Sequence, residues 1–272
     1  MRKALGGIFG TAVLVAAMSF GALAEDGSPT VANPSAWDGI RKDAFGQREI
    51  LDGAGKIVLE APVRAEDAAT VPITVRMPAA FAAGVKSLTL IIDQNPSPVV
   101  ATFNYGDAAG NGERMLATRV RVDQYSDVRA IAETNDNKLY MTTAFVKASG
   151  GCSAPASKDA EEAAKTMGKM HIKTAVAKED GSEVAQVMLK HPNTSGMAMD
   201  QITHAYPPAR FIDKLSVTTG GKLIFSMEGG ISISEDPNFR FTYQGNPSDE
   251  MAVKAEDSAG TQFSGHSTPS QS

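Results

Sequence analysis

The chain has 272 residues, of which 42% are hydrophobic and 6% aromatic, so it can form one large packed domain or two small ones. A formal net charge of −5, without any cluster of basic residues, argues against binding nucleic acid through its phosphates. The single cysteine, Cys152, excludes a disulfide within the chain.

The first 24 residues have the parts of a secretory signal peptide. Arg2 and Lys3 precede an apolar run over residues 8–20, and Ala22-Leu23-Ala24 forms an A-x-A cleavage site. No later segment has the roughly 18 unbroken apolar residues that a membrane-spanning helix needs. We therefore expect cleavage after Ala24, export to the periplasm and no membrane span in the mature chain.

A short amphipathic helix is predicted near the start of the mature chain. Trp37, Ile40, Ala44 and Phe45 recur at helical spacing after a polar segment.

Six strands are predicted between this helix and Cys152, because apolar and polar residues alternate there with a period of two. Turn signals separate the runs, and no alternation of strands and helices indicates a parallel sheet. The predicted strands cover residues 56–61, 71–77, 88–93, 99–105, 116–131 with a break, and 139–147.

The segment after Cys152 is predicted to form a second helix and then six more strands. Acidic residues precede Lys165 and Lys169 in the helix, which suits the helix dipole. The predicted strands cover residues 171–177, 184–191, 210–218, 223–227, 239–243 and 251–256. The last residues are rich in Ser, Pro, Gly and Gln and are predicted to be a disordered tail.

The fold class predicted from this pattern is all-β, with two immunoglobulin-like β-sandwich domains joined by a linker that contains a short helix. The expected boundaries are a signal peptide at 1–24, a first sandwich with the N-terminal helix at 25–149, a linker at 150–170, a second sandwich at 171–260 and a disordered tail at 261–272.

Cys152 follows Gly150 and Gly151, and small residues come after it. Glycine accepts backbone angles that other residues do not, so the segment around Cys152 is predicted to be flexible and its thiol exposed. From composition alone, a functional thiol, an intermolecular disulfide and an incidental linker residue all stay open.

The charges near Cys152 predict no strongly depressed thiol pKa. Lys147 and Lys158 are the cations nearest in sequence, and they are offset by Asp159, Glu161 and Glu162.

Ordered stretches on both sides of the cysteine carry a family resemblance. Those of the first half lie at residues 37–50, 59–66, 71–73, 93–98 and 146–152, the last ending in Gly-Gly-Cys. With these, the first half resembles SoxY, the periplasmic sulfur-carrier subunit of thiosulfate oxidation. Stretches at residues 191–196, 208–212, 234–241 and 251–257 resemble SoxZ, its partner sandwich. The order in a single chain is similar to the fused SoxYZ-like carriers associated with quinoprotein dehydrogenases.

The resemblance implies a carrier whose cargo attaches covalently to Cys152, with Gly150 and Gly151 as a flexible arm. Here the arm is tethered at both ends, since the chain continues into a second domain. The resemblance also implies a non-catalytic protein, with no cofactor beyond the sulfur cargo. Its implied partners are periplasmic redox or sulfur-processing enzymes, among them a quinoprotein dehydrogenase system.

An alternative is a periplasmic Cu(I)-binding protein, because thioether and imidazole groups suit that ion. The same residues are also explained as core fillers or as strand residues. The candidate ligands are Met167, Met170, His171, Met188, His191, Met197, Met199 and His204.

Overall fold

Fifteen strands in two sheets form the described part of the chain in this computed structural model, which describes residues 34–157, 160–175, 182–200, 204–246 and 248–267. The predicted all-β fold is confirmed. None of the helices in these ranges is long and apolar enough to cross a membrane. The predicted signal peptide lies outside the described residues.

The helices are few and short. They are α1 (Pro34–Phe45), α2 (Ala79–Ala82) and α3 (Ala160–Thr166), with a 3-10 turn at Asp107–Ala109. The strands are β1 (Ile50–Asp52), β2 (Val58–Glu60), β3 (Val71–Met77), β4 (Val85–Ile92), β5 (Val99–Tyr105), β6 (Arg114–Val120), β7 (Ser126–Thr134), β8 (Leu139–Val146), β9 (Met170–Ala175), β10 (Glu183–Leu189), β11 (Ile212–Thr219), β12 (Lys222–Gly229), β13 (Asn238–Tyr243), β14 (Met251–Asp257) and β15 (Gln262–His266).

Both sheets contain strands from the two halves of the chain. The nine-stranded sheet has the order β1-β8-β7-β4-β5-β12-β11-β14-β15, and the six-stranded sheet has the order β2-β3-β6-β13-β10-β9. The halves meet where β5 pairs antiparallel with β12 and where β6 pairs antiparallel with β13. Each sheet is therefore continuous across the linker predicted at 150–170, and the predicted domain boundaries stay a prediction.

One hydrophobic core also spans the two halves. Alternation along the strands turns one face inward, as in β3, where every second residue is buried. Phe103 of the first half contacts Phe225 and Phe239 of the second edge to face, at centroid distances of 5.7 and 6.0 Å. Such aromatic pairs add to the free energy gained by apolar burial, so the shared core binds the halves together.

Helix α1 covers the outer face of the nine-stranded sheet, where Trp37 and Phe45 pack against a small second cluster that includes Ile131. The guanidinium group of Arg129 stacks over the Trp37 ring at 4.1 Å and bonds Asp93 at 2.6 Å. The predicted helix is confirmed.

Several strands have the predicted bounds, among them β3 and β5, and the predicted break in residues 116–131 separates β6 from β7. The disordered tail predicted from residue 261 is wrong for β15, because its backbone pairs with β14 over five register positions. β1 was not predicted; its three residues pair in parallel with β8. β1 and β15 are short strands at the two edges of the nine-stranded sheet. Their backbones form hydrogen bonds to a neighbouring strand although their sequences have no strong apolar pattern.

Candidate functional site

The cysteine lies in a tight turn after β8, here called the thiol turn (residues 150–153), which rests on the segment that follows β6. The amide groups of Gly150 and Gly151 donate to the carbonyl oxygens of Asp123 and Val122 at 2.8 and 3.0 Å. The Cys152 amide donates to Asp123 Oδ1 at 3.3 Å. Three consecutive amides therefore fix the turn to residues about thirty positions earlier in the chain.

The two glycines allow this close packing. Gly150 has a φ of +79°, a backbone conformation that side chains disfavour. A Cβ on Gly151 would lie 2.1 Å from the carbonyl oxygen of Ala68 and 2.6 Å from that of Val122. Both glycines are thus required by the packed turn, and their predicted role as a flexible arm stays a prediction.

The second half of the chain holds the thiol turn from the other side. Ser195 donates its hydroxyl to the Cys152 carbonyl oxygen. Arg121 Nη1 donates to the Gly151 carbonyl oxygen at 3.1 Å, and its Nη2 donates to the Asn193 carbonyl oxygen at 3.2 Å. The cysteine therefore lies where both halves of the chain converge.

The loop that carries Ser195 is itself fixed by buried polar groups. His191 is buried, and its Nδ1 accepts a bond from the Asn193 amide at 3.0 Å. Its Nε2 lies 3.4 Å from Asp257 Oδ2. Burial lowers the pKa of His191, which favours a neutral ring. The loop is thus anchored to β14.

The thiol itself is fully buried, with 0% of Cys152 exposed. Burial, followed by the negative charge of Asp123, raises the thiol pKa to about 11, against an opposing effect of Arg121. The predicted absence of a depressed pKa is confirmed, but the prediction of an exposed thiol is wrong. Its small neighbours, taken as a sign of flexibility, instead allow the turn to approach other segments closely.

The residues that seat the turn were not identified from the sequence. Arg121 alternates with the apolar residues Val120 and Val122, a pattern typical of a half-exposed strand, yet it is only 4% exposed. Ser195 lies inside the SoxZ-like stretch at 191–196, which was the available signal for it. Asp123 had none, because its role depends on a contact with the distant thiol turn.

Four of the alternative copper ligands take part in other contacts of the fold. His191 is bonded to Asn193 and Asp257, whereas Met170 packs against the core. His171 and Met188 are direct partners across β9 and β10. In the described ranges, no group of three or more His, Cys, Asp or Glu residues could hold a metal ion. Copper binding through methionine and histidine stays a prediction.

Two family models match the chain, one on each side of the linker. "Sulfur oxidation protein SoxY" matches residues 41–152, and "Sulphur oxidation protein SoxZ" matches residues 170–268. A search of curated proteins found no match.

Solved structures similar to the chain include the sulfur carrier protein SoxY from Chlorobium limicola f thiosulfatophilum, at 26% identity. That match covers 42% of this chain and 92% of the other, with a TM-score of 0.34. A glycosyl hydrolase family 2 member from Bacteroides cellulosilyticus matches at 11% identity, covering 78% of this chain and 28% of the other, with a TM-score of 0.22.

Proposed function

We propose a carrier function for this chain, which belongs to the SoxY and SoxZ families of sulfur oxidation proteins and joins one domain of each in a single polypeptide. In this function Cys152 holds a sulfur-containing intermediate covalently and presents it to partner enzymes. The chain itself catalyses no reaction and uses no cofactor beyond the sulfur bound to Cys152.

The observation that carries the proposal is the position of the single cysteine. The SoxY match ends at Cys152, directly after Gly150 and Gly151, and groups from both halves hold that turn. The solved SoxY structure is described as a sulfur carrier protein. A thiol that one half positions and the other half covers is suited to a cargo that must be sheltered between two transfers.

The buried turn corresponds to a closed, storing state. The reactive form of cysteine is the thiolate. With a pKa of about 11, the thiol is ionised in only about one molecule in ten thousand at pH 7. Loading and unloading therefore require the thiol turn to move away from the segments that cover it. This movement exposes Cys152 to water and returns the thiol pKa to its ordinary value.

Transfer from a persulfide donor needs no separate oxidant. The Cys152 thiolate attacks the outer sulfur of a donor R–S–SH, the donor S–S bond breaks, and the donor leaves as the thiol R–SH. Cys152 becomes a persulfide, and the proton lost by its thiol is taken up by the leaving group. The acceptor enzyme runs the same exchange in reverse.

The proposed setting is the periplasm, reached through the signal peptide at residues 1–24. Periplasmic redox or sulfur-processing enzymes are the proposed partners, and a quinoprotein dehydrogenase system is one candidate. N-terminal sequencing of the exported protein should then begin at Glu25. A first residue of Met1 on the exported chain would contradict cleavage.

Intact-protein mass spectrometry tests the carrier proposal. Protein purified from the periplasm without reductant should carry a mass increase confined to the Cys152 peptide, and reductant should release it. Cys152→Ser protein prepared in parallel should have only its own mass. The same adduct on the serine variant, or a bare thiol after incubation with a persulfide donor, would overturn the proposal.

A further inference from the structure

The loop that holds the thiol turn from the second half begins with a buried histidine. This loop is called the histidine loop here (residues 191–195); His191 is 1% exposed and Asn193 is 0% exposed. In the described part of the chain, the hydrogen bonds of His191 run to Asn193, Asp236 and Asp257 and not to the thiol turn. Any effect of His191 on the thiol must therefore pass through the histidine loop.

His191 fixes the backbone of Asn193, which has an unusual conformation. The φ of Asn193 is +41°, in the left-handed region that residues other than glycine disfavour. His191 Nδ1 lies 3.0 Å from the Asn193 amide nitrogen and 2.8 Å from its Oδ1. Whichever ring nitrogen carries the hydrogen, Nδ1 can bond Asn193, because it either accepts from the amide or donates to Oδ1. The Asn193 side chain also bonds backbone groups of Ile212 and Ile233.

Hydrogen bonds at two positions connect the histidine loop to the thiol turn. The Asn193 carbonyl oxygen accepts from Arg121, whose guanidinium group also donates to the Gly151 carbonyl oxygen. Ser195, at the end of the histidine loop, donates its hydroxyl to the Cys152 carbonyl oxygen. Displacement of the histidine loop would therefore remove hydrogen bonds that keep the thiol turn in place.

We propose that His191 is a positioning residue for the thiol of Cys152. By fixing Asn193, His191 holds the histidine loop, and the loop in turn keeps the thiol turn closed. Without Nδ1, the Asn193 amide would be a buried donor that lacks its acceptor, which favours a displaced loop in which water reaches the amide. The histidine loop and the thiol turn are then released together. The relevance of this release to loading and unloading rests on the proposed function.

The rate at which N-ethylmaleimide labels Cys152 under native conditions measures the release. His191→Leu has no ring nitrogen and should be labelled at least about fivefold faster than the unsubstituted chain, the scale of one lost hydrogen bond. His171→Leu replaces an exposed histidine of β9 and should be labelled at the unsubstituted rate. Fluorescence of Trp37, the single tryptophan, should be unchanged in both variants, which excludes unfolding as the cause.

Two conservative variants separate the contact with Asn193 from the contact with Asp257. The side-chain amide of asparagine reaches the position of Nδ1, whereas that of glutamine reaches the position of Nε2, which lies 3.4 Å from Asp257 Oδ2. His191→Asn should be labelled within about twofold of the unsubstituted rate, and His191→Gln should be labelled at least about fivefold faster than the unsubstituted chain. Labelling of the glutamine variant at the unsubstituted rate, or of the asparagine variant at least about fivefold faster, would overturn the proposal. This pair decides the proposal even where His191→Leu does not fold.

A double-mutant cycle with Ser195→Ala tests whether His191 acts through the histidine loop. When the loop is already displaced, the Ser195 hydroxyl no longer bonds the thiol turn, so the two effects should not add. His191→Leu combined with Ser195→Ala should be labelled no more than about twofold faster than the faster of the two single variants. An acceleration equal to the product of the two single accelerations would contradict action through the loop.

These labelling rates are measured on the unloaded thiol and do not depend on any cargo. Equal rates for His191→Leu and the unsubstituted chain would refute the positioning role of His191 and leave the carrier proposal intact. The carrier proposal fails instead if Cys152 in the purified periplasmic protein bears no load, even when His191 controls access to the thiol.

Discussion

Helix α1 and the thiol turn both lie against the β-sandwich, but different forces hold them. Trp37 and Phe45 of α1 bury apolar surface, and the ion pair beneath them has an Asp93 side chain with 0% exposure. The thiol turn is held mainly by hydrogen bonds from Arg121 and Ser195 and by three backbone amides.

The difference in forces means that α1 is attached permanently, whereas the thiol turn can be released. Apolar burial has no substitute in water, so lifting α1 loses its whole contribution to stability. Each neutral hydrogen bond of the thiol turn contributes a net of only about 0.5–1.5 kcal/mol, and each bond to Arg121 or Asp123 about 1.5–3 kcal/mol, because water replaces these bonds on release. The proposed role of Cys152 as the cargo-bearing thiol needs the second kind of attachment at the thiol turn, and the first elsewhere.

The largest effect is expected at α1. Asp93→Ala leaves Arg129 buried without its closest partner and should lower the free energy of unfolding in urea by about 3–5 kcal/mol. Asp127→Ala, which removes a more exposed partner at 3.2 Å, should cost about 0–1 kcal/mol. Thiol labelling of Cys152 under native conditions should stay unchanged in both, and faster labelling would show that the two regions are coupled.

Alkaline pH should destabilise the thiol turn. Cys152 has a pKa of about 11 in the folded chain and an ordinary value near 9 when unfolded. The folded state thus favours the neutral thiol, so this stability is complete below pH 9 and lost as pH rises to 11. The loss should be about 2–3 kcal/mol relative to Cys152→Ser in urea unfolding at each pH. Parallel pH profiles for the two proteins would contradict a buried thiol.

Substitution of one glycine in each region sharpens the comparison. Gly151→Ala places a Cβ against the Ala68 carbonyl, so the turn should be displaced, at a cost of about 1–3 kcal/mol. Labelling of Cys152 by a thiol reagent should accelerate at least about tenfold. Gly39→Ala in α1 meets no atom within 4 Å and should instead raise stability by about 0.5–1 kcal/mol. An unchanged labelling rate in Gly151→Ala would contradict the close packing of the thiol turn.

The smallest effect isolates the contact between the halves. Ser195→Ala removes the hydroxyl that bonds the Cys152 carbonyl oxygen, a loss of about 1 kcal/mol, so labelling should be about fivefold faster. Ser153→Ala is the matched control, since its hydroxyl bonds only Gly150 within the turn at 3.3 Å. Equal rates in the two variants would show that Ser195 does not hold the turn closed.

Much of the fold could be predicted from the sequence because its strands are half buried. In β3 and β5 alternating side chains encode both the element and its inner face, and their bounds match the prediction. The pairing of β5 with β12 could not be predicted, because strand periodicity indicates a face but does not identify the neighbouring strand. β15 was not predicted because its residues are mostly polar. A strand at the outer edge of a sheet can be polar, so it has no clear pattern in the sequence.

The candidate site was predicted less completely. Cys152 stood out as a single cysteine after two glycines, which local sequence does reveal. Its burial depends on Asp123, Ala68 and Ser195, which lie about 30, 84 and 43 positions away in the chain. Small residues permit flexibility and close packing equally, so only the tertiary contacts could decide between them.

The pairing of β5 with β12 also has a consequence for solubility. The outer strands of the two sheets are short: three residues in β1 and in β2, five in β15 and six in β9. Short edges offer little template for association between molecules, whereas an isolated first half would expose the seven residues of β5 along one side. Joining the halves in one polypeptide keeps that edge occupied from the moment the chain folds, and thereby protects the carrier against edge-to-edge aggregation.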